Sequence, residues 1–517
     1  MGKCWWNGTI YTMESEGHTV EAIYTEHGTI IATGTIEDLT NRFQGQMNEV
    51  IDLDGATLFP GFVDSHMHLI GHGETFLKLD LSQMNSREEV LQAVAARVEV
   101  ASVDSWIIAE GWNENRWEDT SPITRELLDL VAPQHPVILR RICRHVLVVN
   151  TRAMEDTGIE YTPEDGMFKD SEQDMILHAI PAVTESYLQE ALRLGIQQAW
   201  SQGLVGGHTE DLSYYGSCPK TIQSFNQVIH EESMNFRAHL LVHHLVVDEW
   251  RNERQAMDIE SPFLEFGAMK IFADGALGGR TALLSLTYAD DPSTHGIAIH
   301  NDEELNLLVQ KARSFGLPIA VHAIGDLAVE KVLDVIERHP ACVGTRDRLI
   351  HGQVLSQESL ERMQLLPVVV DIQPTFVASD FPWVMERIGD DTDLKLYAWK
   401  TMLTNGLHCA GGSDAPIEQV SPLLGMYTAV TRMSSEDPTR TVYHPEERLS
   451  VYDAISLYTT GSAYVSGHEH DRGMIKEGYS ADFTILPIDP FRNTPNTWLE
   501  KGIAMTVVNG SIVYRRN

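Results

Sequence analysis

The chain has 517 residues, of which 43% are apolar and 22% charged, so it can bury a large core and is neither disordered nor fibrous. Lysine and arginine total 38 against 74 aspartates and glutamates, and the resulting formal charge of −36 argues against nucleic acid or an anionic membrane as a partner. The five cysteines are scattered, and the sequence shows no signal peptide and no apolar run of ~18 residues. We therefore expect a cytoplasmic protein without disulfides or membrane spans that acts on a small molecule.

Both ends of the chain predict short β-strands. Residues 1–57 alternate β-rich runs with glycine turns, and the stretch from about residue 473 has the same character. Strands from the two ends can complete one core, so we expect residues 1–57 and 468–517 to form a small β-sandwich.

The centre of the chain alternates apolar strand-like runs with amphipathic helical stretches. This alternation predicts an α/β fold with a parallel sheet, and eight such runs predict a (β/α)8 barrel of the TIM type. We assign residues 58–71 and 181–467 to this barrel. The eight predicted strands are residues 58–64, 203–207, 236–242, 266–272, 317–322, 347–351, 367–373 and 407–414.

Residues 72–180 are too long for a single crossover helix between the first two strands. They predict an inserted α+β domain that leaves the barrel at the carboxyl end of strand one, and we expect it to cover the active-site face. Its predicted elements are a helix over 86–101, a strand over 106–112, a helix over 124–132 and a strand over 136–142.

Polar residues end several of the predicted barrel strands, which is where barrel enzymes carry their catalytic groups. An HxH pair alone is weak evidence for a metal site, because two histidines on one strand face often pair by chance. Coincidence at several strand ends is much stronger evidence, and imidazole with carboxylate suits zinc or a similar divalent metal. The candidate ligands are His66, His68, Lys270, His322, His351 and Asp414.

Lys270 fits this site poorly as an ammonium, because it would meet both burial and repulsion from metal cations. Carbon dioxide can convert its amine to a carbamate, an anion with two oxygens that can bridge two metals ~3.5–4 Å apart. The alternative is a lysine whose amine reaches Asp274 or solvent.

Five segments together resemble the amidohydrolase superfamily, in particular its YtcJ-like branch, which includes N-substituted formamide deformylases. They are GFVDSHMHL, MKIFADGALGGRTA, VHAIGD, IHGQ and GGSDAPI, in that order. The resemblance extends over essentially the whole chain. It implies one metal on His66, His68 and Asp414, a second on His322 and His351, and carboxylated Lys270 between them.

These roles imply a mechanism for cleaving an amide-type C–N bond of a small N-acyl or N-formyl compound. A metal-held hydroxide attacks the carbonyl carbon, and Asp414 takes the water proton and passes it to the leaving nitrogen. The other interpretation of Asp414 is a helix N-cap before Pro416.

The predicted insertion supplies three further substrate-binding candidates. Trp112 and Trp117, in the segment GWNENRW, enclose four polar residues and can line an apolar pocket, although they can equally build the core of the insertion. His145 lies in CRHVLVVN, which departs from the DGHSAWVN-like run usual in the branch.

Three more substrate-binding candidates lie in the predicted barrel. His208 ends strand two, and Arg280 follows Lys270 on a glycine-rich loop, where an ordinary ion pair is the alternative. Asp326 lies where strand five turns into a helix, so it either caps that helix or orients His322. His468 and His470 lie outside the strand ends, and we expect them to be solvated.

Several functional alternatives remain. A mononuclear deaminase of the same superfamily usually has a glutamate shortly after the strand-five histidine, and His322 is followed by none there. A cyclic amide or carbamate hydrolase would use the same ligands, and a non-catalytic binding protein would normally lose some of them. The sequence does not choose between zinc, manganese, iron and cobalt. A homodimer is expected from symmetry statistics alone.

Overall fold

The computed structural model describes residues 2–101, 105–142, 146–159, 163–169, 172, 175–176, 183–254, 261–389 and 392–516. Contacts divide the chain into two compact units, one of residues 1–70 and 195–517 and the other of residues 71–194. The finer division into sandwich, barrel and insertion, with the boundaries given above, stays a prediction.

None of the described helices is long and apolar enough to cross a membrane. The described cysteines, Cys4, Cys218, Cys342 and Cys409, are all free. Cys143 lies outside the described residues.

Eight parallel strands form the central sheet of the larger unit, which confirms the predicted barrel. We number them β1 to β8 in chain order, and each pairs with its neighbour in that order. Their bounds are β1 Phe62–Met67, β2 Leu204–Thr209, β3 Arg237–His243, β4 Leu264–Phe272, β5 Ile319–Ala323, β6 Asp347–His351, β7 Val368–Ile372 and β8 Cys409–Gly411.

The segment after β8 returns to β1 and completes the ring. The backbone N–H of Asp414 donates to the carbonyl oxygen of His66 at 2.7 Å, and that of His68 donates to Ala415 at 2.7 Å. A Cβ on Gly412 would lie only 2.6 Å from the backbone nitrogen of His66, so glycine permits this close approach. The closure places Asp414 beside the two histidines of β1.

Helices follow most barrel strands and bury one face each. In Asp326–Arg338 the buried residues Val329, Val332, Leu333 and Ile336 recur at helical spacing, as an amphipathic helix requires. The helices of this part of the chain are Glu185–Ser201, Cys218–Asn226, Gln227–Glu231 (a π-helix), Val247–Glu253, Asp302–Ser314, Asp326–Arg338, Gln357–Met363, Phe376–Ile388, Trp399–Thr404, Pro422–Thr431, Pro445–Glu447 (3₁₀), Val451–Tyr458 and Thr460–Val465; Val354–Leu355 and Lys395–Leu396 form a short antiparallel pair.

The predicted first strand, residues 58–64, splits into two strands at Gly61. The N–H of Gly61 donates to the carbonyl of Asp482 at 2.8 Å, and the residues before it join a sheet made by both chain ends. One apolar cluster contains residues from both terminal sheets, among them Trp5, Ile23 and Phe483. The strands, in sheet order, are Thr29–Gly34, Ala22–Glu26, Gly2–Trp6 and Met47–Asp52 in one sheet and Ser511–Arg515, Met505–Val508, Phe483–Leu486, Thr57–Pro60, Thr9–Tyr11 and Thr19–Val20 in the other, with helices Ile36–Arg42 and Pro495–Lys501.

The smaller unit has its own five-stranded sheet and its own core. Trp112 and Trp117 are buried in that core, with 3% and 5% of their surfaces exposed, and Trp117 Nε1 donates to the carbonyl of Met84 at 2.9 Å. In sheet order the strands are Met167–Lys169, Val146–Val149, Val137–Arg141, Ile107–Trp112 and Leu79–Asp80. The helices from the end of β1 onward are Leu69–Leu77, Arg87–Val100, Glu114–Arg116 (3₁₀), Arg125–Val131 and Thr151–Thr157.

A buried ionic cluster lies at the start of β3 and β4. Arg237 pairs with Asp482 through two hydrogen bonds of 2.5 and 3.1 Å. The Glu265 carboxylate accepts hydrogen bonds from His239 Nδ1 at 3.0 Å and from His468 Nε2 at 2.7 Å. The prediction that His468 is solvated is therefore wrong, because its side chain is only 21% exposed and is bound to a carboxylate.

Candidate metal centre

Three of the predicted ligands converge most closely. His66 lies in β1, His351 ends β6, and Asp414 follows β8. One potential ligand atom from each lies within 4.8 Å of the other two, and all three residues are buried. His351 and Asp414 have positive φ angles of 79° and 56°, an uncommon conformation for such residues that often marks a functional site.

His68 and Lys270 extend this cluster. The Nε2 atom of His68 lies 3.4 Å from Asp414 Oδ1, the same distance that separates His66 Nε2 from that oxygen. Lys270, in β4, is fully buried and its Nζ lies 3.4 Å from His66 Nε2. Lys270 therefore does not reach solvent.

His322, in β5, lies at the edge of the cluster. Its ring centre is 4.5 Å from that of His351, so the two histidines are neighbours. Its Nε2 lies 3.1 Å from the carbonyl oxygen of Gly275 and 3.6 Å from Asp274 Oδ1. Because a carbonyl only accepts, Nε2 carries the proton in this arrangement and Nδ1 is the nitrogen that remains for a metal.

Asp274, rather than Asp326, lies beside His322. The buried Asp274 carboxylate accepts backbone N–H groups from Leu283 at 2.8 Å, Ile324 at 3.0 Å and Gly325 at 2.9 Å. It joins the loop after β4 to the end of β5, which fixes the backbone that follows His322.

Asp326 is not the helix N-cap that the sequence suggested. The N-cap is Gly325, and Asp326 is the first helical residue. Its Oδ1 accepts the backbone N–H of Ser285 at 3.0 Å, so the side chain also stabilises the loop after β4. No sequence pattern distinguished this long-range bond from a local cap.

Burial controls the charge states in the cluster. It lowers the pKa of His66 well below the usual value, with Lys270 as the next cause, and it lowers the pKa of Lys270 to about 8. Burial alone would raise the pKa of Asp414, but its bond with His68 and the nearby cations hold that pKa below the usual value. Burial opposes a charge on His68, yet Asp414 raises its pKa to about 9. The cluster thus favours an ionised Asp414.

The donor set fits a divalent metal. The Nδ1 of His68 lies 2.6 Å from the Glu210 carbonyl oxygen, and that of His351 lies 2.7 Å from Gln373 Oε1. Both contacts keep a proton on Nδ1 and direct Nε2 toward the centre, as in many metal sites; a metal on His68 would displace the second proton that its raised pKa implies. His66 Nδ1 is buried without a hydrogen-bond partner. Neutral imidazoles and a carboxylate are ligands that zinc and its neighbours prefer.

The predicted substrate-binding residues are more dispersed. His208 is buried, with Nδ1 at 3.1 Å from Arg348 and its ring beside His239. Arg280 pairs with Asp290, with the shorter contact at 2.6 Å, which is the ion pair named as its alternative. Trp112 and Trp117 belong to the core of the smaller unit. His145 lies outside the described residues, so the roles of these residues in substrate binding stay predictions.

Sequence reasoning missed the residues that support the ligands. Glu210 and Gln373 hold ligand histidines, as described above. Arg348 donates to Asp371 at 2.8 Å and to the backbone carbonyl of Ser65 at 2.7 Å, directly before His66. A strand-end position was a usable signal for Glu210 and Gln373, whereas the buried Arg348–Asp371 pair has no local pattern.

The fold and the cluster define a barrel hydrolase with a candidate metal site at the carboxyl ends of its strands. The model of the amidohydrolase family matches residues 49–514. The chain belongs to the amidohydrolase family and is a hydrolase acting on carbon–nitrogen bonds. Metal dependence is general in this family.

Individual relatives agree with this assignment. The chain is 49% identical to "Putative amidohydrolase YtcJ" of Bacillus subtilis (strain 168), over 100% of both chains. It is 25% identical to N-substituted formamide deformylase of Arthrobacter pascens, over 99% of this chain and 98% of that protein. A crystal structure of an uncharacterized metal-dependent hydrolase from Pyrococcus horikoshii OT3 has a TM-score of 0.81 and 28% identity, covering 96% of this chain and 99% of that one.

Proposed function

We propose that this protein cleaves the amide-type C–N bond of a small N-acyl or N-formyl compound at a divalent metal centre. The observation that carries the proposal is the convergence of His66, His351 and Asp414 within 4.8 Å at three strand ends. The likeness to N-substituted formamide deformylase, at 25% identity over nearly the whole chain, supports the substrate class.

The proposed ligands are His66, His68, His322, His351, Asp414 and Lys270. A bound divalent metal would polarise the substrate carbonyl and lower the pKa of a water molecule. Asp414 supplies general base and acid catalysis in this proposal. Its Oδ1 faces His66 and His68 at 3.4 Å, so we assign proton transfer from the water to the leaving nitrogen to Oδ2.

Lys270 is proposed to act as a carbamate. Its neutral amine attacks carbon dioxide, forms an N–C bond and releases one proton, which leaves an anionic carbamate. Among the described residues no carboxylate lies within ion-pair distance of its Nζ, and His66 Nε2 lies 3.4 Å from it. Burial lowers the pKa of this amine to about 8, so a useful neutral fraction exists near pH 7.

The test is metal content per chain in protein supplied with zinc and bicarbonate, measured for the native chain and for Lys270→Ala. We expect about two metals in the native protein and fewer in the variant, because two-metal sites of this type need a bridging anion. Lys311→Ala is the matched control, since Lys311 lies on the surface and pairs with Asp248. Equal metal content in Lys270→Ala and the native protein would contradict the carbamate bridge.

Substrate class is tested with a panel of N-formyl and N-acetyl amines, by following release of formate or acetate. Asp414→Asn should lower kcat by about 10²–10⁴, the usual contribution of a general acid or base. A native protein that binds metal and hydrolyses no member of the panel would contradict the proposed substrate class. A native protein that binds no metal would contradict the proposal as a whole.

A further inference from the structure

A small polar cavity lies beside the first residues of β1, β3 and β4, at the opposite ends of these strands from the candidate metal centre. Its volume is about 30 Å³. A single buried water needs about 10–15 Å³, so the cavity has room for one group somewhat larger than water. The charged and imidazole side chains that line it are Arg237, Arg472, His208, His239, Glu265 and Asp482.

His208 brings a buried N–H donor to this cavity. The residue is only 3% exposed, and its Nδ1 lies 3.1 Å from Arg348 Nη2. Because a guanidinium only donates, Nδ1 accepts this bond and the proton of the neutral ring lies on Nε2. Burial lowers the pKa of His208 well below its usual value, which keeps the ring neutral. Within the described part of the chain, the Nε2–H group has no acceptor.

Two guanidiniums add further donors. Arg237 is 9% exposed and binds Asp482 through Nε and Nη2, which leaves its Nη1 for another acceptor. Arg472 Nη1 donates to Glu265 Oε1 at 3.3 Å, whereas its buried Nε lies 3.9 Å from Asp471 and makes no hydrogen bond to any described residue. Burial lowers the pKa of Arg472, and the charge of Arg237 lowers it further. The two cations therefore repel each other where donors lack acceptors.

The two carboxylates of the cavity do not satisfy these donors. Both oxygens of Asp482 accept from Arg237, and Oδ1 also accepts the backbone N–H of Asn509 at 2.8 Å. Both oxygens of Glu265 accept from the imidazoles described above. A ligand that completes the hydrogen bonding of the cavity must therefore be an acceptor, and a negative charge would also relieve the repulsion between the guanidiniums.

We propose that this cavity binds one small monovalent anion of about the size of chloride. His208 Nε2–H, Arg237 Nη1 and Arg472 Nε donate to it. The volume excludes a larger anion such as phosphate. The ion would join β2 and β3 to the segment that contains Arg472, close to the carboxyl end of the chain. The inference does not depend on the proposed function, because it uses none of the proposed metal ligands.

The experiment measures the melting temperature of the full chain in mixtures of sodium chloride and sodium gluconate at constant ionic strength. Gluconate is too large for the cavity and serves as the anion that does not bind. A ligand that binds only the folded state raises the melting temperature, and a single site saturates. We expect a rise of about 1–3 °C that levels off as chloride replaces gluconate.

Two variants test whether this cavity is the site. Arg472→Met removes the unpartnered Nε and should abolish the rise with chloride. Arg346→Met is the matched control and should keep it, because Arg346 is similarly exposed (21% against 20%), also pairs with a glutamate and does not line the cavity. Ser466→Leu fills the cavity without removing a charge and should also abolish the rise. If Arg472→Met does not fold, Ser466→Leu decides the question.

The results that overturn the proposal differ from a general effect of salt. Salts that act by exclusion from the protein surface change stability without saturation, so a linear rise, or none, in the native protein would overturn it. A saturating rise that persists in both Arg472→Met and Ser466→Leu would also overturn it, because chloride then binds elsewhere. Sodium formate in place of sodium chloride shows whether the site takes a halide or a small carboxylate, and a saturating rise with either supports the site.

Discussion

Removing Asp482 should destabilise the protein strongly, because it would leave a buried guanidinium without its partner. The side chains of Arg237 and Asp482 are only 9% and 8% exposed and share two hydrogen bonds. Breaking such a buried pair from one side costs about 3–5 kcal/mol. The measurement is the change in unfolding free energy of Asp482→Ala, from urea denaturation followed by tryptophan fluorescence.

Two companion variants test whether burial is what makes the Arg237–Asp482 pair costly to break. Glu49→Ala breaks the exposed Lys3–Glu49 pair, whose side chains are 23% and 52% exposed, and should cost no more than about 1 kcal/mol. Replacing both partners, Arg237→Met with Asp482→Leu, should recover most of the stability, since no buried charge then lacks its partner. A cost of Asp482→Ala as small as that of Glu49→Ala would contradict the role assigned to the buried pair.

Three further predictions concern the ring closure and the ionic cluster. Asp64→Ala removes the acceptor of two buried N–H groups at the join of β1 and β8 and should cost about 2–6 kcal/mol in a denaturation series; a cost under 1 kcal/mol would contradict it. Gly412→Ala places a Cβ against the His66 backbone and should reduce zinc content, whereas native content would contradict the close approach. Glu265 raises the pKa of His468 despite burial, so this contact stabilises the fold fully below pH ~6.5 and less as the pH rises through the raised pKa. His468→Gln should flatten that part of the profile of unfolding free energy against pH, and an unchanged slope would contradict the assignment.

The barrel and the positions of its candidate ligands were predictable because both depend on local patterns. Apolar runs separated by amphipathic helices identify parallel strands, and the carboxyl ends of such strands meet at one edge. This is why His322 and His351 could be expected as neighbours, and their ring centres lie 4.5 Å apart. The run 58–64 was predicted less well, because the strand break at Gly61 depends on a hydrogen bond to Asp482, more than four hundred residues away.

The supporting contacts needed the tertiary structure. His468 was expected in solvent, yet it binds Glu265 across about two hundred residues of sequence. Asp326 was expected either to cap its own helix or to orient His322, and its carboxylate accepts the backbone N–H of Ser285. In each case a polar side chain has both a local and a distant partner available, and local sequence carries no information about the distant one.

Hydrophobic periodicity was enough to predict the (β/α)8 barrel and the polar residues at its strand ends, because it acts over short stretches of chain. The resemblance to the amidohydrolase superfamily came from five short motifs. The folded structure was needed to show which ligand atoms converge and which nitrogen of His68 and of His351 faces the centre. The contacts of Glu210 with His68 and of Gln373 with His351 make that choice, and they exist only once distant strands lie side by side. Hydrogen bonds fix a tautomer through geometry, and geometry of that kind is a property of the folded chain.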